Sequence, residues 1–477
     1  MRGSCLSFGL ILSLAAFAPG AAQSQTSDYR ARGGFRNPAK DGWIFVHLEG
    51  SPSAIGFQHG YLLTREIEDA KRAIELSTTH EVDHTWNDLR GVAQKYFWPK
   101  VPAEYRQELQ GMEDGLKAHG STLDVMDLVA MNGFMEFPYY YDEVKRRETK
   151  GSSVPSHPPE HCSAFIVTGS YTRDGHIVIG HNNWTDYLTA TRWNIIFDIA
   201  PNSGHRLIMD GMPGLIHSGD DFGINDSGIM ITETTISSFH GFKNDGVPEF
   251  VRARRAMQYS ESIDDFARIM KEGNNGGYAN TWLIGDRKTN EIGRLELGLK
   301  NVTLDRTKDG YFVGSNFPIN PKLIAQETDF PASDPNTPNQ VRHRRWDQLM
   351  AENKGRIDVE LGKKFETDHY DVMTKEIDPN ERTICGHIDK SSRGLKGWQG
   401  PYAPAGVAEA KVSDSAMAEK LSFVAGMGHP CGVEFHAAEH LKAHPEYAWQ
   451  SGLLEDVKAN PWMVVSAARM ANDTGTH

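Results

Sequence analysis

The chain has 477 residues, of which 39% are hydrophobic and 24% are charged, an ordinary composition for a protein that buries a core. This length predicts two to four domains or one large enzyme fold with additions. The formal net charge of -13 argues against a nucleic-acid partner, because binding to phosphates requires a basic surface. Composition leaves the identity of a small-molecule substrate open.

Residues 1–23 have the pattern of a secretory signal peptide. Arg2 supplies the positive charge, an apolar run extends from Leu6 to Phe17, and small residues follow it. The run is shorter than the roughly 20 residues that span a bilayer, and no later segment is long and apolar enough to do so. An uncleaved anchor is the alternative. The sequence therefore predicts a soluble exported protein, secreted or periplasmic, without a transmembrane segment.

Cysteine counting singles out one thiol. Removal of the signal peptide would also remove Cys5 and leave Cys162, Cys385 and Cys431. In an oxidising compartment an odd number of cysteines implies one free thiol. Cys385 and Cys431 lie in turn-rich stretches and are predicted to form a disulfide, so Cys162 is the remaining thiol. A buried, inert cysteine is the alternative, but the polar loop before Cys162 disfavours it.

A helical pattern runs from Gly56 to about Phe137. Pro102 stands at a first-turn position of one segment, where proline is favoured. The pattern predicts four helices, over 58–80, 86–97, 102–119 and 123–137. Residues 24–161 are thus expected to form a helical N-terminal fragment that ends in a cleavable Pro- and Ser-rich linker, 147–161.

After Cys162 the pattern changes to short strands. Residues 165–167 and 176–180 flank an Asp-Gly turn, which is a hairpin signal. Two helices are predicted at 248–259 and 262–272. Further strands are predicted at 193–199, 205–208, 215–217, 228–233, 281–285, 292–297 and 311–313. Most connections have hairpin length, so we expect antiparallel sheets rather than a βαβ winding.

Cys162 lies where the exposed linker meets a buried strand. Cleavage of the His161–Cys162 bond would give this cysteine a free α-amine with a pKa of about 8, which could act as its base. The thiolate would then attack an acyl carbon. The pattern predicts an N-terminal nucleophile.

Six sequence blocks occur in an order that resembles the phospholipase B-like family. They are CSAFIV (162–167), GHNNW (180–184), PGLIHSGDDF (213–222), TETTI (232–236), NTWLIGD (280–286) and GSNFP (314–318). That family belongs to the N-terminal-nucleophile cysteine hydrolases, which include enzymes of the penicillin acyltransferase and bile-salt hydrolase types. The resemblance implies an α+β fold, an αββα sandwich of two antiparallel sheets flanked by helices. It also implies autoproteolysis before Cys162, with 162–477 as the catalytic fragment and both fragments in one compact domain. We expect no metal or other cofactor.

The resemblance assigns roles to three residues. Cys162 is the nucleophile, and His181 orients or polarises it or binds substrate. Asn316 resembles the asparagine with which related enzymes donate a hydrogen bond to the oxyanion, an interaction that can lower a barrier by about 3 kcal/mol. Trp184 stands where many of those enzymes have an aspartate, and the chain departs from their pattern there.

Further candidates for the oxyanion site or for substrate binding are Asn182, Thr234, Thr235 and Asp221. The resemblance does not identify which of the two threonines lines the oxyanion site. Asp220 and Asp221 are adjacent and would face opposite sides of a strand, so at most one reaches the site. Related enzymes also use an arginine late in the fold, for which the candidates are Arg342, Arg344 and Arg345.

These features predict an exported, autoprocessed hydrolase that cleaves acyl ester or amide bonds of a lipid or other small molecule. The first candidate function is phospholipase B-like deacylation of lipids. The alternative is an N-acyl amide amidohydrolase or acyltransferase. A zinc hydrolase is a remote alternative, because His436 and His440 fit the H-x-x-E-H pattern. A non-catalytic binding protein, in which Cys162 is inert, is another. The oligomeric state is not predicted.

Overall fold

The structure, a computed structural model, describes residues 28–149, 162–219, 222–396 and 398–467. The predicted signal peptide, His161 and Asp221 lie outside these ranges, as does most of the predicted linker. Among the residues that are described, no helix is long and apolar enough to cross a membrane.

Helices dominate the described chain before Cys162. Side chains fix several of their starts: Ser51 caps α1, and Thr85 and Asp124 form capping boxes at α3 and α5. Helices α1 to α6 are Pro52–Leu62, Thr64–Val82, Trp86–Val92, Ala103–Ala118, Val125–Asn132 and Phe137–Glu148. Helices α7 to α14 are Tyr187–Ala190, Glu249–Tyr259, Ile263–Lys271, Pro321–Glu327, Pro338–Glu352, Val359–Glu366, Ser415–Ala418 and Ala437–Ala443.

The predicted helix boundaries are wrong in two places. The helix predicted over 58–80 is divided at Leu63, whose φ of -121° lies outside the helical range. The helix predicted over 123–137 ends at Asn132, and α6 follows after Gly133 and a short 3-10 turn. This last helix was not predicted, because its charged second half resembles the linker that follows.

The strands form two large sheets and one small one. Strands β1 to β9 are Phe35–Arg36, Ile44–Gly50, Cys162–Thr168, Val178–Asp186, Ile195–Pro201, Leu207–Gly211, Gly223–Asn225, Ile229–Thr235 and Asn280–Asp286. Strands β10 to β17 are Glu291–Leu297, Val302–Thr307, Gly310–Gly314, Tyr370–Asp371, Glu376–Ile377, Ala405–Asp414, Ser422–Met427 and Met463–Ser466. The nine-stranded sheet has the order β1-β2-β5-β6-β7-β8-β9-β10-β11, and the six-stranded sheet has the order β12-β3-β4-β15-β16-β17.

Pairing between the described strands is antiparallel, as predicted, except that β2 and β5 are parallel. The strand predicted at 215–217 is wrong, because Leu215 closes a turn by donating its N–H to the carbonyl of Met212. The edge strand β11 was missed. Its residues are mostly half-buried or exposed, so it lacks the continuous buried run of central strands such as β3 and β9.

The two large sheets pack face to face. Alternation along β3 sends Ala164 and Ile166 into the space between the sheets, where Ile166 joins Ile208 and Leu283 of the opposite sheet in one buried cluster. The helical layer outside the nine-stranded sheet buries Leu128 of α5 with the strand residues on that side. This arrangement gives three of the four layers.

The fourth layer covers the outer face of the six-stranded sheet. Phe165, which alternates outward from β3, packs against Trp346 of α11 and Phe365 of α12 at ring-centroid distances of 5.4 and 5.9 Å. The order of layers is therefore helix, sheet, sheet, helix. The αββα sandwich that the sequence predicts is confirmed.

An ion cluster also joins the sheets. The ammonium of Lys411 on β15 lies 2.7 Å from a carboxylate oxygen of Asp210 on β6 and 2.6 Å from one of Glu409. All three side chains are completely buried. Charges at this depth are tolerated only when they are paired, so each member depends on the others.

Replacing Lys411 by methionine tests this dependence. K411M keeps the length of the side chain but removes the ammonium from two buried carboxylates, so the free energy of unfolding should fall by about 3–5 kcal/mol. Urea unfolding followed by tryptophan fluorescence measures the change. The control K117M removes an exposed ion pair with Glu113 and should leave the midpoint nearly unchanged. Equal midpoints for the two variants would contradict the structural role of Lys411.

Candidate active site

Cys162 is the first residue of β3, and its side chain is 1% exposed. It pairs with Asn183 of β4 across the hairpin. Its backbone N–H donates a hydrogen bond to Oδ1 of Asn316, at 3.1 Å, and its carbonyl accepts one from Arg342, at 2.7 Å. Both backbone groups of the cysteine are thus held by side chains from later parts of the chain.

His181 and Glu233 surround the sulfur of Cys162. His181 pairs with Ala164, two residues along β3 from the cysteine, so the hairpin brings it back beside Cys162 as the sequence spacing predicts. Sγ of Cys162 lies 3.8 Å from Oε1 of Glu233. One polar atom from each of the three residues lies within 4.8 Å of the others. The structure therefore brings together a thiol, an imidazole and a carboxylate.

Sequence reasoning missed Glu233. Its carboxylate, 0% exposed, accepts a hydrogen bond from the hydroxyl of Tyr278 at 3.0 Å. The available signal was an acidic residue inside an otherwise buried strand, since a carboxylate is rarely buried without a partner or a role. Glu233 lies inside one of the six blocks, between Thr232 and Thr234.

Asn316 lies in the left-handed region, with a φ of +66°, which asparagine tolerates better than most residues. This conformation directs its side chain toward the start of β3. Oδ1 accepts from Cys162 and, at 2.9 Å, from Nη2 of Arg342, while Nδ2 donates to the carbonyl of Thr235 at 3.1 Å. Asn316 therefore contacts the nitrogen of Cys162, and one of the two N–H groups of its Nδ2 is donated to Thr235.

Of the three candidate arginines, Arg342 reaches Cys162. Its guanidinium is fully buried, donates to the hydroxyl of Ser163 at 3.0 Å and lies 4.4 Å above the ring of Trp184. Arg344 instead contacts the carbonyl of Pro335 at the surface. Arg345 forms an ion pair with Asp368 at 2.7 Å.

The remaining described candidates, Asn182, Thr234 and Thr235, do not all lie on the face of their strand that meets Cys162. Asn182 alternates away from Cys162, and its Nδ2 donates to the carbonyls of Glu366 and Ile384. Thr234 packs against Gly314, where an added Cβ would lie 2.4 Å from the threonine methyl carbon. Thr235 contacts the site, because its carbonyl binds Asn316 and its hydroxyl donates to Tyr278 at 3.3 Å. Asp221 lies outside the described residues.

Two predictions in the C-terminal third are not supported. Cys385 and Cys431 carry free thiols, so the predicted disulfide is not formed. His436 has extended backbone angles before α14 begins, and its side chain is 53% exposed near Asp456. His440 contacts the carbonyl of Tyr402 at 2.8 Å. The two histidines therefore do not share the helical face that the H-x-x-E-H zinc hydrolase requires.

A cavity of about 550 Å³ adjoins this group of residues. Asn183, Thr235 and Tyr278 line it, and each also contacts Cys162 or the residues around it. Its other walls are rich in aromatic side chains, among them Phe134, Trp184, Trp193, Trp398, Tyr447 and Trp449. The cavity combines these aromatic walls with polar and acidic residues such as Glu81, Asp186 and Gln399, a mixture typical of small-molecule sites.

Two acidic residues that line the cavity, Glu81 and Asp186, have raised pKa values. Crowding by the surrounding protein, with the negative charges of Asp186 and Asp142, raises the pKa of Glu81 to about 8. Burial also raises the pKa of Asp186, against the hydrogen bonds that this carboxylate accepts from Thr189 and Ser77. The side chain of Glu81 is exposed to solvent where it lines the cavity.

Comparison with known proteins identifies the family. The Phospholipase B family model matches residues 64–301, about half of the chain. An uncharacterized protein of Archaeoglobus fulgidus is 24% identical over 68% of this chain and 58% of its own length. Phospholipase B of Crotalus adamanteus is 26% identical over 68% and 60%, and putative phospholipase B-like 2 of Mus musculus is 27% identical over 40% and 35%. The chain thus spans about a third to three fifths of these relatives.

A solved structure of a conjugated bile acid hydrolase from Clostridium perfringens aligns with 56% of this chain and 89% of its own, at 11% identity and a TM-score of 0.35. That likeness is too loose to identify a fold or an activity. The αββα sandwich is the fold that the sequence predicts, and Cys162 lies at the start of one of its strands. The chain belongs to the phospholipase B-like family, as its six sequence blocks predict.

The raised pKa of Glu81 can be tested through stability. The carboxyl is neutral in the fold up to about pH 8 but ionises near its ordinary pKa when the chain unfolds, so its contribution to stability is present in acid and lost as pH rises toward 8. The variant E81Q cannot ionise. Its Tm relative to wild type should therefore be higher at about pH 9 than at about pH 5. Thermal melts across pH measure this difference, and a difference that does not change with pH would contradict the assignment.

Proposed function

We propose that the chain is an exported hydrolase that is cut before Cys162 and uses that residue as an N-terminal nucleophile on acyl ester or amide bonds. The observation that carries this proposal is the position of Cys162 at the start of β3, with its backbone nitrogen bound to Asn316. Cleavage would convert that amide nitrogen into an α-amine beside the thiol of the same residue. Such an amine, with a pKa of about 8, can take the thiol proton near neutral pH.

The reaction then has two steps. The thiolate adds to the acyl carbonyl, and collapse of the tetrahedral intermediate breaks the ester or amide bond while the α-ammonium gives its proton to the leaving alcohol or amine. The thioester that remains is attacked by water, which loses a proton to the amine. The thiol and the carboxylic acid are released. A hydrogen-bond donor near the oxyanion lowers both barriers, and Asn316 is the candidate for it.

Neighbouring side chains suit this chemistry. Arg342 holds the carbonyl of Cys162 and the hydroxyl of Ser163, so the start of β3 keeps its position after the linker is cut. His181 and Glu233 lie close to the sulfur and can orient it. Glu233 is in turn connected to the cavity through Tyr278.

The cavity indicates the substrate class. Its aromatic walls favour an acyl chain, and the reactive group would lie at the end formed by Asn183, Thr235 and Tyr278. Deacylation of a phospholipid is the first candidate, in line with the names of the relatives. An N-acyl amide is the second, because a thiol that carries its own amine serves amides equally well.

Cleavage and catalysis can be separated by substitution of Cys162. The wild-type protein should mature into two chains, the second beginning at Cys162, and should hydrolyse members of a panel of phospholipids and N-acyl amides. C162A should remain a single chain and be inactive, because both steps need the thiol. Intact-mass measurement and N-terminal sequencing follow cleavage, and fatty-acid release follows activity.

A coexpressed pair of fragments, 1–161 and 162–477, controls for cleavage. In that pair the wild-type second fragment should be active and its C162A form inactive. An uncut wild-type chain with full activity, or an active C162A pair, would contradict the proposal.

Asn316 can be tested with glycine, which also accepts a φ of +66° and therefore avoids backbone strain. N316G removes the acceptor for the nitrogen of Cys162 and the candidate oxyanion donor, so kcat should fall by about 100-fold. The control N336G changes an exposed asparagine and should keep the wild-type rate. Wild-type kcat in N316G would exclude Asn316 from the reaction.

A further inference from the structure

A second group of reactive side chains packs behind Trp184. It consists of His369, Cys385, His387 and Cys431, which we call the Cys/His cluster. One coordinating atom from each residue lies within 4.8 Å of the other three. Cys385 and His387 are completely buried, and the other two are partly buried. Three loops that are distant in sequence contribute to the cluster.

The spacing within the Cys/His cluster matches a tetrahedral metal site. Nε2 of His387 lies 3.7 Å from Sγ of Cys385 and 3.5 Å from Sγ of Cys431. In a tetrahedral zinc site with Zn–S bonds of about 2.3 Å and Zn–N bonds of about 2.0 Å, a sulfur and a nitrogen ligand are about 3.5 Å apart. A single ion between these atoms would reach both sulfurs and the nitrogen at ordinary bond lengths.

The surroundings of His387 resemble those of a metal-bound histidine. Its Nε2 faces the two sulfurs, while its Nδ1 lies 3.5 Å from a carboxylate oxygen of Asp389. The same oxygen accepts a hydrogen bond from the hydroxyl of Tyr187 at 3.0 Å. A carboxylate behind the second ring nitrogen fixes the tautomer and orientation of histidines that bind metals.

A fifth nearby residue, His429, is excluded as a ligand. Its ring centroid is 4.7 Å from that of His387, but both of its nitrogens contact other groups. Nδ1 contacts the carbonyl of Val433, and Nε2 lies 3.0 Å from the hydroxyl of Tyr187. By contrast, Nε2 of His369 is buried and has no hydrogen-bond partner among the described residues. Four ligands therefore remain, two sulfurs and two imidazoles.

We propose that the Cys/His cluster binds one zinc ion as a structural Cys2His2 site. Two thiolates and two imidazoles are a ligand set that zinc prefers, and four protein ligands leave no open position for a substrate. The cluster is distinct from the H-x-x-E-H motif and from Cys162. Zinc takes the place of the disulfide that the sequence suggests for Cys385 and Cys431.

The site would hold a wall of the cavity in place. Gly386, between two of the ligands, lies so close to Trp184 that an added Cβ would be 1.9 Å from the ring. The carbonyl of Ile384 accepts hydrogen bonds from Trp184 and Asn182, both at 3.2 Å. The loop that carries Cys385 and His387 therefore supports the tryptophan that lines the cavity, and a metal would fix that loop.

Zinc content of the full-length protein tests the proposal. Protein purified with reductant and supplied with zinc should retain about one zinc per chain by elemental mass spectrometry. C431S and H369Q should lose most of that zinc. C162A and H436Q are matched controls, because they remove the other candidate thiol and the H-x-x-E-H histidine, and both should retain it.

Two further readouts do not depend on the variants folding. Cobalt in place of zinc should give wild-type protein a thiolate-to-cobalt charge-transfer absorption, and a strong chelator should lower its Tm. Retention of zinc in C431S with loss in H436Q or C162A would overturn the proposal. So would a metal-free wild-type chain whose mass shows the loss of two hydrogens and a Cys385–Cys431 disulfide. Because C162A retains zinc under the proposal, failure of the nucleophile assignment and failure of the zinc site are distinguishable.

Discussion

The site depends on two hydrogen bonds of the Cys162 backbone: its N–H donates to Asn316, and its carbonyl accepts from Arg342. They join the first residue of β3 to the turn after β12 and to α11, three segments that only the folded chain brings together. The backbone groups at the end of a strand need partners other than the neighbouring strand. Buried side chains supply these partners for both backbone groups of Cys162 at the first position of β3.

The same interactions connect Cys162 with the cavity wall. Arg342 lies on one side of Trp184, and the loop that carries Gly386 lies against its ring. Trp184 therefore forms an aromatic wall of the cavity that is held by a cation and by the loop of the Cys/His cluster.

Local patterns in the sequence predicted the parts of the fold that depend on neighbouring residues. The Asp-Gly turn predicted the β3–β4 hairpin, and with it the return of His181 to Cys162. The helix predicted at 262–272 is α9, and the hydroxyl of Ser262 caps its start by accepting a hydrogen bond from the backbone N–H of Asp265. The block order, a pattern over a longer range, predicted the layers of the sandwich.

What the sequence could not predict depends on contacts across the fold. Asn316 is 154 residues from Cys162, and only the structure distinguishes Arg342 from two arginines within three positions of it. Glu233 lies within a buried strand, and its neighbours in sequence do not indicate that it contacts Cys162 and Tyr278. Cys385 and Cys431 were recognised as neighbours, but His369 and His387 were not, because loop residues from three segments have no shared periodicity. The pair was consequently predicted as a disulfide.

The central claim is that Cys162 is a nucleophile at a newly formed N-terminus. Rapid quenching of the enzyme during turnover, followed by fragment mass spectrometry, tests it most directly. The account predicts that the acyl group of the substrate is found on the fragment that begins at Cys162. An acyl group on another residue, or turnover with no acylated enzyme and no cut chain, would contradict it.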